Sequence, residues 1–182
     1  MVEYKLIRSS RKTVSIQVTA EGEVVVRAPR LYPKYKIEAF LRQKEPWIRA
    51  RLEERAVAAR LPVLSEAEHK ALITAAKAWF TARAAHFAPL VGVTYGSVTI
   101  RTQKTRWGSC TGKGDLNFNC LLMLAPEEIR DYVAVHELCH RRHMDHSAAF
   151  WAEVERVLPD YKLHRKWLKD NGPTLMARRP VQ

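Results

Sequence analysis

His136-Glu137-Leu138-Cys139-His140 is the stretch of this 182-residue chain whose reading decides the fold. It has the pattern H-E-x-x-H. On a helix, positions i and i+4 stand one turn apart on one face. Two imidazoles so placed can reach one zinc ion at about 2.0–2.1 Å each. Glu137 projects about 100° away, which suits a base beside the metal better than a ligand. The flanking sequence predicts the helix that this chemistry needs. Pro126-Glu127-Glu128 opens it, with proline early and acids in the first turn. Ile129, Tyr132, Val133, His136 and His140 fall on or beside one stripe.

A catalytic zinc ion needs a third protein ligand and one open position. The candidates are His143, His146, Glu153 and Glu155. His143 continues the helical stripe, but seven residues of helix rise about 10.5 Å, too far for three collinear rings to converge on one ion. The chain must turn back first, and Met144-Asp145 can provide the turn. His146 follows it and is the favoured third ligand, with a downstream glutamate as runner-up. His143 then reads as a surface or supporting residue. Such an ion acidifies bound water toward a pKa of about 7. Glu137 is the expected general base.

Working outward, Ser147 is a candidate cap for a helix carrying Phe150, Trp151, Val154 and Val157, ended by Leu158-Pro159. A last short helix holds Leu163, Trp167 and Leu168, and Asn171-Gly172-Pro173 begins what reads as a frayed tail. Upstream, Val98–Arg101, Arg106–Cys110 and Leu116–Leu121 alternate with a period of two, predicting a short antiparallel sheet. Ser65 and Glu68 form a capping-box pattern for a helix over about residues 66–87, with Leu72, Ile73, Ala76, Trp79 and Phe80 inward. Residues of about 4–28 read as a β-hairpin or meander. A basic amphipathic helix follows from Pro33, with a break or kink expected at Pro46 and a stripe running through Ile37, Phe40, Leu41, Lys44, Trp47, Ile48 and Leu52.

Composition bounds the rest. The chain is 47% hydrophobic and 27% charged, which excludes global disorder. No run of about 18 apolar residues is present, so no membrane-spanning helix is readable. The charged start Glu3-Tyr4-Lys5 does not resemble a signal peptide, and a cytoplasmic protein is expected. Three cysteines form no disulfide framework and are expected as thiols; Cys110, Cys120 and Cys139 read as small buried hydrophobes. The formal net charge is +12, of which +7 falls in residues 1–60, so that segment would attract polyanions such as nucleic acid.

Further motifs recur in order: Arg106-Trp107-Gly108-Ser109-Cys110, Gly114-Asp115-Leu116-Asn117, the H-E-x-x-H helix, His146-Ser147, Phe150-Trp151 and Leu158-Pro159-Asp160-Tyr161. Together they resemble the YgjP-like metallopeptidase family, related to the SprT-like and WLM zinc proteins, over roughly residues 5–170. The resemblance implies an α+β, zincin-like fold: a small antiparallel sheet on two helices, preceded by a β-hairpin and a basic helix. It implies His136, His140 and His146 as zinc ligands and Glu137 as catalytic base. It also implies an edge strand able to pair with extended peptide.

The expected organisation is an N-terminal segment 1–60, a catalytic domain 61–170 and a flexible tail 171–182. Trp107 and Gly108 are candidates for the cleft floor, or simply a buried aromatic packed beside glycine. Arg106 could hold a substrate carboxylate or phosphate, although a structural ion pair is the simpler role. Tyr161 and His164 could donate to an oxyanion. Trp47, Trp79, Trp151 and Trp167 are expected in the core. The function read from these residues is a zinc-dependent hydrolase acting on peptide or protein, a metallopeptidase. One alternative is a nucleoside-triphosphate pyrophosphatase using the same metal and base. The other is a nucleic-acid-associated protease or basic binding module.

Overall fold

Val24-Val25-Val26, a β-branched run suited to a buried strand, forms the middle of the first of two sheets. The computed structural model describes residues 2–19 and 21–180, and the chain divides into two units, residues 1–61 and 62–182. In the first unit, β1 (Lys5–Ser9), β2 (Ser15–Val18) and β3 (Val24–Pro29) lie in the order β1-β3-β2. β2 and β3 form the expected antiparallel hairpin, whereas β1 lies parallel to β3, with Leu6 opposite Val26. Gly22 takes φ 83° in the hairpin turn, a backbone conformation that glycine tolerates at no steric cost.

Ile37, Leu41 and Ile48 of α1 (Lys34–Arg60) are buried with Val18, Val24, Val26 and Ala28. α1 runs through Pro46 without the expected break. Both Pro46 and Arg42, whose carbonyl it leaves unbonded, are exposed, so water can serve that carbonyl. Trp47, expected in the core, is 43% exposed beside the Arg51 guanidinium.

The second unit begins with α2 (Glu66–Val91), opened by the predicted capping box: Ser65 Oγ accepts from the Glu68 N–H, and the Glu68 carboxylate accepts from the Ser65 N–H at 2.8 Å. The helix outlasts its expected end and closes at Gly92 (φ 73°). Ile73, expected inward, is exposed. Strands β4 (Val98–Arg101), β5 (Gly108–Cys110) and β6 (Leu116–Asn119) take the order β4-β6-β5. This sheet is mixed rather than antiparallel. β5 and β6 form a hairpin, which leaves β4 to join the other side of β6 in parallel. Phe118 of β6 stacks on Phe80 of α2, with ring centroids 4.2 Å apart.

A 3-10 turn (Cys120–Leu124) leads into α3 (Glu127–Cys139), which packs against α2, α4 (Ala148–Val157), α5 (Tyr161–Ala177) and β5. A helix with neighbours on so many sides is buried over most of its circumference. The class is α+β, as the sequence predicts. The expected tail, however, is mostly helix. α5 continues through Asn171-Gly172-Pro173 to Ala177, because Gly172 admits the Trp107 indole where a Cβ would stand 3.0 Å from Cζ2. The Leu64 N–H then donates to the Arg178 carbonyl at 3.0 Å, tying this end to the start of the unit. Residues 181–182 of that expected tail lie outside the described residues. No helix among the described residues is long and apolar enough to cross a membrane.

Candidate metal centre

The end of α3 and the loop that leads into α4 converge on one point. His136 lies in the last turn of α3, His140 is its C-cap, and His146 stands just before Ser147, the N-cap of α4. One donor atom from each lies within 4.8 Å of the other two, and His136 Nε2 and His146 Nε2 are 3.1 Å apart. Two donors at 2.0–2.1 Å from one tetrahedral ion stand about 3.3 Å apart, so the three rings fit a shared cation. His140 Nδ1 lies 2.9 Å from the His143 carbonyl, which can only accept. That contact places the proton on Nδ1 and leaves the Nε2 lone pair free for a metal.

Two of the rings, His136 and His140, are also biased toward the neutral form. Burial pushes the His136 pKa down to about 3, helped by the neighbouring His140 and His146, and burial also lowers that of His140. Phe150, fully buried on α4, accounts for part of this. Its ring centroid lies 4.9, 4.6 and 4.9 Å from those of His136, His140 and His146, an apolar floor under all three.

Glu137 is 4% exposed, and burial raises its carboxyl pKa to about 8. Its Oε2 has no hydrogen-bond partner among the described residues. Its Oε1 lies over Gly108: a Cβ there would stand 2.5 Å from Oε1 and 2.8 Å from Cδ and Cγ. Only glycine leaves room for this carboxyl against β5. Gly108 lines a cleft of about 280 Å³ with Arg106, Ser109, Cys110, His136, Glu137, His140, Met144 and His146. β5 is an edge strand of its sheet.

The other sequence candidates divide. Arg106 is exposed on the cleft and makes no ion pair among the described residues, so the simpler structural role does not hold. Trp107 packs against Gly172 and the core, and does not line the cleft. Tyr161 is buried and stacks on Trp151 at 5.3 Å, outside the cleft. His164, on α5, is also absent from the cleft lining. Glu153 is paired with Arg142 and Arg156, and Glu155 with Lys162, which removes both from competition as ligands. His143 supplies its carbonyl rather than its ring. The cysteines are free thiols. Cys120 and Cys139 are buried, but Cys110 is only half-buried and faces the cleft.

Two supporting residues escaped the sequence reading. Asn119 is 1% exposed; its Nδ2 donates to the carbonyls of Gln103 (2.9 Å) and Arg106 (3.0 Å), and its Oδ1 accepts from the Leu121 N–H. It thereby pins the loop that delivers Arg106 and β5. In the sequence it is one polar step in an alternating strand, with no sign that it faces inward. Phe150 was visible as a core residue, but nothing in the sequence puts it under the histidines.

The fold and site together bring three histidines, with His146 open to solvent, beside a buried carboxyl, an arrangement of the kind found in metal-dependent hydrolases. A family model described as YgjP-like, metallopeptidase domain, matches residues 12–70 and 61–171, and the chain belongs to that family. At the family level it is a metallopeptidase. Among curated proteins nothing matches. The crystal structure of the metallopeptidase zymogen of Pyrococcus abyssi abylysin is similar at 28% identity, covering 50% of this chain and 93% of that one, with a TM-score of 0.45.

Proposed function

We propose that the chain is a zinc-dependent peptidase of zincin-like build, in which His136, His140 and His146 hold the metal and Glu137 is the general base. The observation that carries this is the convergence of three imidazoles beside one buried carboxyl. Three nitrogen donors suit zinc, and a catalytic site of that kind keeps a fourth position open. Zinc bound there would lower the pKa of water to about 7 and polarise a carbonyl.

The chain's own residues supply the rest. Glu137 Oε2, without a hydrogen-bond partner among the described residues, accepts a proton from the attacking water and can return it to the leaving amine. The raised affinity of this carboxyl for a proton suits both halves of that task. The Gly108 backbone fixes the carboxyl by contact. The free edge of β5 offers main-chain groups to an extended peptide, which gives affinity with little sequence preference. Arg106 lies on the same cleft as a donor to substrate carbonyl or carboxylate oxygens.

The test is a substrate screen of the zinc-loaded wild type beside Glu137→Gln. Casein and peptide libraries should be cleaved by the wild type alone, with nucleoside triphosphates untouched. Release of pyrophosphate from nucleotides, with peptides intact, would overturn the peptidase reading.

A further inference from the structure

Arg165 of α5 is an exposed cation that makes no ion pair or side-chain hydrogen bond among the described residues. Its neighbours one helical turn away are Tyr161, Lys162, Leu168 and Lys169, none of them a carboxylate. The nearby acids of α4 are engaged elsewhere, Glu153 with Arg142 and Arg156, and Glu155 with Lys162. The guanidinium instead lies 4.4 Å from the centroid of the Trp151 ring. Trp151 in turn packs 5.6 Å from His146 and 5.7 Å from His136. An unpaired guanidinium is thus held on an aromatic face one ring away from the candidate metal centre.

We propose that Arg165, which stands outside the cleft lining and one ring from the histidines, is a specificity residue that binds a carboxylate of the substrate where the peptide leaves the cleft on the α4–α5 side. This rests on the peptidase reading above. A guanidinium packed on an indole keeps its N–H edge free, and that planar fork matches a carboxylate in bidentate fashion. Stacking on Trp151 restrains the long side chain before substrate arrives, so less freedom is lost on binding. No carboxylate among the described residues pairs with Arg165, and Arg106, on the cleft itself, adds a second positive charge without an ion pair. The carboxylate could belong to an acidic side chain near the scissile bond or to the C-terminus of the peptide.

The test uses the full chain, zinc-loaded and carrying Glu137→Gln, so that peptides bind without being cut. The probes are fluorescent, N-acetylated alanine–glycine nonapeptides with one Glu or one Gln walked along the sequence, each with a free or amidated C-terminus. At one Glu position, or with the free C-terminus, binding should be about 10- to 100-fold tighter than for the neutral counterpart, the range for charge-assisted hydrogen bonds. Arg165→Ala should abolish that preference while leaving the neutral peptide within twofold. Arg165→Lys should keep part of it, and Arg165→Glu should reverse it, favouring Gln over Glu or the amide over the free C-terminus. A walk-dependent preference assigns the carboxylate to a side chain, and an amide-sensitive one assigns it to the terminus. Equal weakening of charged and neutral peptides by Arg165→Ala would show that the residue only supports Trp151, and would overturn the proposal. So would the absence of any preference in the Arg165-containing protein. The same peptides offered to zinc-loaded wild type separate the two readings: binding preference without cleavage would remove the peptidase reading and leave this one standing.

Discussion

Gly108→Ala adds one methyl group at the point where the candidate base touches the sheet. The new Cβ would stand 2.5 Å from Glu137 Oε1 and 2.8 Å from Cδ and Cγ, roughly 0.6–0.9 Å inside the 3.4 Å at which ordinary contact begins. Gly108 has no positive φ, so alanine is not strained by its own backbone. The carboxyl must therefore retreat, within a site where it is 4% exposed. Overpacking of this kind costs about 1–3 kcal/mol of stability. A misplacement of about 1 Å at a catalytic group costs on the order of 10²-fold in rate. The methyl group meets none of the three histidines among its nearest atoms, so zinc content should not change. Metal analysis, thermal melting and kcat/KM on a cleaved peptide, run on the same preparations, read all three. The expected result is one zinc per chain, a modestly lowered Tm and about 100-fold lower kcat. A folded, zinc-loaded Gly108→Ala protein within threefold of wild type would refute the assignment of Glu137 as the base held on that glycine.

His146→Ala should lower zinc retention far more than His143→Ala, because the latter leaves the His143 carbonyl in place for His140 Nδ1; equilibrium dialysis of zinc reads the order. In the metal-free chain, Glu137 has its folded pKa raised by burial from 4.5 to about 8, so its contribution to stability is full below pH 4.5 and is lost as pH rises through 8. Glu137→Gln should therefore stabilise the metal-free protein increasingly toward pH 9, by up to about 5 kcal/mol, and urea melts at pH 5 and pH 9 showing an unchanged difference would contradict that. Asn119→Ala should cost about 1–3 kcal/mol through the carbonyls of Gln103 and Arg106 left unbonded, with faster hydrogen exchange across residues 103–108. Residues 1–60, with a net charge of +7, should bind duplex DNA at low salt with a linear log–log salt dependence; gel shifts showing no binding at 20 mM salt would exclude it.

What was legible in the sequence was whatever rests on local pattern. The Ser65–Glu68 capping box, the α3 stripe and the turn between His140 and His146 depend on neighbours within a few residues, and the structure contains each. What was not legible depends on contacts across the chain. β4 pairs with β6 in parallel, passing over its sequence neighbour β5, which pairs antiparallel on the other side of β6, and no alternation within a strand can reveal that order. Asn171-Gly172-Pro173 has the composition of a breaker, yet the Trp107 ring packs where the glycine has no side chain, and the helix continues. Trp47 sits at core spacing on α1 but falls at the border of the buried stripe. At the candidate site the histidine spacing was readable from helix geometry. The Phe150 floor, the Gly108 contact and the Arg165–Trp151 stack needed coordinates.

The most direct test of the three-histidine centre is zinc K-edge X-ray absorption on the purified, zinc-reconstituted chain. Three imidazole nitrogens should scatter at about 2.0–2.1 Å with no sulfur contribution. A sulfur shell at about 2.3 Å, drawn from Cys110 at the cleft or from any other thiol, or a protein that binds no zinc at all, would contradict it.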